Sequence, residues 1–135
     1  MREILFRGKR VANGEWVTGY YANVCGLGCN INETRHYILE YPKGQQHEIY
    51  TSTLGQYTGL TDRNGKKIFE GDIVRCNNEI FVIGYYESFA AYTLKSPCNM
   101  RQAPPITSIT TRNFEVIGNI YDNPELLEGG ASDDN

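Results

Sequence analysis

Glycine and asparagine punctuate this chain so densely that no apolar-periodic stretch is long enough for a substantial helix. The segments between these breaks are short and alternate in polarity, which is the pattern of antiparallel hairpins. Residues 2–11 read as a first strand. Asn13-Gly14 predicts a two-residue hairpin turn with both residues at positive φ, returning the chain into a second strand over 15–23. On that strand Trp16, Thr18 and Tyr20 share one face and Val17, Gly19 and Tyr21 the other, so both faces are expected to be partly covered. Residues 25–33 have turn composition, 34–41 resume the β pattern, and 47–52 form a weaker strand. Gly55 and Gly59 argue for bends or a bulge over 54–60. Asp62-Arg-Asn-Gly65 is a turn. Residues 67–76 are a strand broken at Gly71-Asp72, and Asn77-Asn78 reverses the chain into 80–86, the most secure hairpin in the sequence. Residues 89–94 give another strand, 96–105 an exposed proline-containing connection, and 114–121 a final strand. Asn123-Pro124-Glu125 fits a cap, a first helical position and a favourable anion for one closing helical turn.

At 135 residues, with ten tyrosines, the composition suits pleated, half-buried surfaces in one compact chain. The expected division runs 1–53 as an N-terminal hairpin subdomain, 54–127 as a second β unit, and 128–135 as a glycine-rich acidic tail without an apolar anchor. A net charge of −3 gives no general attraction for phosphate backbones. No apolar run approaches the length that crosses a bilayer, and the first residues lack the apolar core of a signal peptide. A cytoplasmic chain without membrane partners is expected, in which Cys25, Cys29, Cys76 and Cys98 stay reduced.

Arg2-Glu-Ile-Leu-Phe-Arg7, the block running from Gln56 through Gly59, Asp62, Asn64, Phe69 and Asp72 to Val74, and Val116 through Asn123-Pro124 to Leu127 resemble, in order and spacing, the YopX family. These are small proteins of bacteriophages and prophages whose biochemical role is undefined. The resemblance implies an all-β fold of antiparallel hairpins with a small SH3-like barrel in the C-terminal half, and a phage or integrated-element setting. It implies no activity, and the family pattern includes no catalytic set and no invariant cysteines.

Each chemical constellation is incomplete. Cys25-x₃-Cys29 with His36, His47, Cys76 or Cys98 could supply zinc ligands, but only one tight pair exists, and loop or core thiols explain the rest. Glu70 and Asp72 flank Gly71 and could form a paired-carboxylate or magnesium site. The competing reading has Gly71 permitting a bend and Asp72 binding backbone amides at the start of a strand. Neither glycine pair, 26 and 28 or 55 and 59, is followed by a phosphate-loop lysine, and no Gly-x-Ser-x-Gly elbow occurs. Arg2, Arg7, Lys9 and Arg10 beside Trp16, Tyr20 and Tyr21 are ingredients of single-stranded nucleic-acid binding, and equally of a protected sheet edge. Tyr57, Thr58, Asp62, Asn64, Glu70 and Asp72 mark the expected partner surface. The expected function is therefore a non-enzymatic binding or interaction protein with an unidentified protein partner, no cofactor and an option of self-association. A nucleic-acid binder and a metal-dependent enzyme using Glu70 and Asp72 are the rivals.

Overall fold

The computed structural model describes residues 3–24, 35–40, 44–96 and 102–130. The chain divides into two compact units, residues 1–57 and 58–135, and among the described residues the strands are mostly antiparallel, with one 3-10 turn and one short helix.

In the first unit, β1 (Phe6–Arg10), β2 (Trp16–Val24) and β3 (Arg35–Glu40) form a meander, followed by β4 (Gln45–Thr61), whose last residues, from Thr58, belong to the second unit. β4 pairs with both β3 and β1, so the four strands close on one another. The first turn differs from the expected two-residue form. Gly14 has φ +74°, whereas Asn13 is absent from the residues at positive φ. Gly14 N instead donates to Arg10 O at 2.8 Å, while Asn13 Oδ1 accepts from Glu15 N at 3.0 Å. The extra residues make a wider loop in which the asparagine side chain replaces the second left-handed residue.

β4 is a single 17-residue strand where the sequence predicts a weaker strand followed by bends or a bulge, and Gly59 takes φ +90° within it. Its irregularity lies in its pairing: Arg7 faces Gly55, but Lys9 faces Tyr50. Thr53 holds the resulting bulge, because its hydroxyl accepts from Lys9 N at 2.9 Å and donates to Tyr50 O at 2.6 Å. Val17, Ile38 and Ile49 form the core, with Phe6, Tyr21 and Leu54 against it. The Val17 and Gly19 face of β2 is buried; on the other face Thr18 and Tyr20 are exposed, while Ala22 and Trp16 are half-buried, Trp16 beneath Arg7 and Lys9. A Cβ at Gly19 would collide with the backbone carbonyl of Leu39, so hydrogen is the only side chain this close approach admits.

In the second unit, β5 (Lys67–Phe69), β6 (Asp72–Cys76), β7 (Glu79–Tyr86), β8 (Ala91–Lys95), β9 (Gln102–Pro105) and β10 (Glu115–Asn119) follow one another. Five of them run in the order β10-β6-β7-β8-β9. Asn77 and Asn78 both adopt positive φ, 53° and 70°, making the two-residue turn expected there. The strand break falls at Gly71, whose φ of +87° suits glycine. Gly71 stays paired all the same, with its N–H on Ile83 O and its carbonyl receiving Ile120 N–H, each at 2.9 Å. Ile68, Val74, Ile83 and Phe114 form the core, and Cys76 packs against them.

Three differences from expectation concern this unit. β8 begins at Ala91, after a turn in which Ala90 takes φ +50°. Part of the presumed connection before residue 105 is β9, since an outer strand tolerates prolines that a central one would not. Helix α1 (Glu125–Gly130) runs three residues into the stretch expected as a tail, and residues 131–135 lie outside the described part. Before α1, the Asn123 side chain turns back, its Oδ1 accepting from Asn119 N at 3.2 Å, while its carbonyl accepts from Leu126 N.

Candidate ligand-binding groove

Turns in the second unit place arginine beside asparagine at three separate points of the sequence, and the fold gathers them. Asp62 builds the first turn. Its Oδ1 accepts from Asn64 N at 2.8 Å and Lys66 N at 2.9 Å, and its Oδ2 from Val116 N at 2.9 Å. Burial works against the ionised carboxyl, but these three bonds and the Lys66 charge outweigh it and hold Asp62 below its usual range. Arg63 N then donates to Phe114 O at 3.0 Å, fixing the turn to the residue before β10. Arg75 lies on β6 directly opposite Glu115 on β10. Arg112 belongs to the 3-10 turn Thr110–Asn113, which a threonine network fastens: Thr107 Oγ1 accepts from Ile109 N and Thr110 N, and Thr111 N donates to Thr107 O.

Arg63, Arg75 and Arg112, with Asn77, Asn78, Asn113 and Glu115, line a groove of about 460 Å³. Arg63 Nη2 stands 3.3 Å and Arg75 Nη1 3.7 Å from the same Glu115 Oε1. Both arginine side chains are half exposed, and Arg112 is exposed. Three guanidinium groups thus face one carboxylate, an excess of positive charge on a chain that is acidic as a whole. A second depression of about 450 Å³ shares Arg63 and Arg112 and adds the Gly59–Thr61 stretch and Ser108. Such a surface can hold oxyanions through paired N–H donors and polar groups through the asparagine amides.

The residues expected to form the partner surface lie mostly inside. Tyr57, Thr58, Asp62 and Asp72 are buried, Glu70 is half-buried, and Asn64 alone is exposed. Thr58 Oγ1 donates to Ile68 O at 2.8 Å, and Asp72 Oδ2 accepts from Phe69 N at 2.8 Å across the strand break, as the structural reading of that pair holds. Burial raises the Tyr57 phenol above its usual range, and the Glu3 carboxylate adds to the rise. Turn composition marks residues that fold a chain as readily as residues that serve it, which is why this stretch looked functional.

The zinc candidates are dispersed. His36 Nδ1 lies 2.7 Å from the Tyr21 hydroxyl, His47 Nε2 lies 3.1 Å from Glu40, and Cys76 packs against a core; Cys25, Cys29 and Cys98 are outside the described residues. Among the described residues no three His, Cys, Asp or Glu side chains converge as a metal site. No described helix is long and apolar enough to cross a membrane. Of the basic set near the N-terminus, Arg7 and Lys9 sit 4.8 and 5.5 Å from the Trp16 ring centroid, on the aromatic surface a stacked base would need. Sequence reasoning missed the groove arginines. The available signal was an arginine beside a turn asparagine, in Arg63-Asn64, Arg75-Cys-Asn77-Asn78 and Arg112-Asn113.

A mostly antiparallel chain of two β units, one bearing a basic groove, is the class these features define. A model of the YopX protein family matches residues 5–128, so the chain belongs to that family, whose function is undefined. Curated proteins include no match. The crystal structure of protein EF1440 from Enterococcus faecalis is similar over 94% of this chain and 99% of that one, with a TM-score of 0.55 and 21% identity, a likeness of fold.

Proposed function

We propose that this chain is a phage- or prophage-encoded binding protein, without catalytic activity, that acts in the host cytoplasm by engaging a protein partner through the arginine groove of its second unit. The convergence of Arg63, Arg75 and Arg112 on one groove carries this reading: accessible guanidinium groups are among the side chains enriched where one protein anchors another. The buried carboxylates support a non-enzymatic role, since Asp62 and Asp72 accept backbone N–H bonds and hold turns together. The family setting supports the phage origin. The order β10-β6-β7-β8-β9, with a 3-10 turn before the last strand, supports an SH3-like reading of this unit. Self-association by strand addition fits less well, because β9, at one margin of that sheet, ends in Pro104-Pro105 and lacks two N–H donors.

The test is chemical cross-linking of the tagged chain in prophage-induced cells, beside an R63Q/R75Q/R112Q variant with an unchanged melting curve. A specific partner captured by the natural chain and lost by the variant is expected. Equal capture by both sinks the proposal.

A further inference from the structure

We infer that the groove recognises an acidic peptide segment, and that Glu115 occupies part of that site as an internal competitor. The inference rests on the proposed partner-binding reading and specifies the partner's chemistry. Glu115 already shows what the groove accepts, because one of its carboxylate oxygens lies within ion-pair reach of both Arg63 and Arg75. The contacts, at 3.3 and 3.7 Å, are long for charge-assisted bonds and involve one oxygen, so neither guanidinium fork is saturated by them. Arg112 has no side-chain ion pair or hydrogen bond among the described residues, so its fork is open to a second carboxylate. Asn77, Asn78 and Asn113, which line the same groove, match the backbone amides of an extended peptide, which a free anion would leave unused.

A nucleic acid offers the same charge but fits less well. The groove lining contains no aromatic ring for a base to stack on. Glu115 also makes a distinctive prediction. A residue that merely supports the arginines would lower affinity when neutralised, whereas a competitor raises it.

The experiment titrates a fluorescein-labelled hexaglutamate peptide with the full chain and follows anisotropy at low and moderate salt. The expected result is binding that weakens with salt, falls about tenfold in Arg112→Gln, recovers in part in Arg112→Lys, and tightens about threefold in Glu115→Gln. Unlabelled inorganic phosphate should compete only weakly, and a twelve-residue oligothymidylate less well than the peptide. Affinity that ignores both Arg112→Gln and Glu115→Gln overturns the inference, as does an oligothymidylate that displaces the peptide from the groove. If cross-linking in cells still depends on the three arginines while hexaglutamate does not bind, the acidic-segment inference fails and the partner-binding reading stands. If cross-linking is indifferent to the arginines, both fall.

Discussion

Asp62 Oδ2 accepts the backbone N–H of Val116 at 2.9 Å, joining a turn to a strand 54 residues further along the chain. With Oδ1 serving Asn64 and Lys66, this carboxylate organises the loop carrying Arg63 and fixes it beside β10, which carries Glu115. Replacing it by alanine orphans three backbone donors, one of them on the half-buried Val116. Asp62→Ala should cost about 3 kcal/mol and Asp62→Asn about 2 kcal/mol, the amide presenting N–H to N–H on one side. Urea midpoints measure both.

The same carboxylate makes stability pH-dependent. Its folded-state pKa lies below the unfolded value near 3.9, so its contribution is present above that value and fades as pH falls toward the folded pKa. The natural chain should lose stability on acidification through this window, and Asp62→Asn should lose less over the same range. Parallel loss in both proteins would assign the acid sensitivity elsewhere.

Thr53 bridges the β1–β4 bulge with one hydroxyl, accepting from Lys9 and donating to Tyr50. Thr53→Val keeps the shape but strands the Lys9 N–H, at a cost of about 1–2 kcal/mol in thermal unfolding. Thr53→Ser, which keeps the hydroxyl, should recover most of it.

Ala90 sits at φ +50° in the turn between β7 and β8. A non-glycine residue there is strained, so Ala90→Gly should stabilise by up to about 1 kcal/mol, the relief being offset in part by the freer unfolded chain. A lower melting temperature would refute the strain.

The β architecture was legible because turn chemistry is local. Asn77-Asn78 takes the positive φ pair its residues favour, and Gly71 breaks the strand where its neighbours say it should. β4 was legible only in part: Gly59 takes the positive φ its type allows, but Gly55 pairs with Arg7 and the bulge falls beside it, at Thr53. Pro104 and Pro105 hid β9, which exists only because its place in the sheet spares it the N–H bonds they lack. The groove was illegible for a different reason. Arg63, Arg75 and Arg112 meet only after β10 pairs with β6, and no spacing along the chain encodes that register. Tyr57, Thr58 and Asp72 looked like a surface because nothing local distinguishes a polar residue that binds a partner from one that binds its own backbone.

Nuclear magnetic resonance of the ¹⁵N-labelled full chain, titrated with hexaglutamate, tests the groove most directly. Shifts should concentrate at the amides of Arg63, Arg75 to Asn78, and Arg112 to Glu115, and should vanish in R63Q/R75Q/R112Q. Shifts centred on Arg7, Lys9 and Trp16, or unchanged in that variant, would contradict the account.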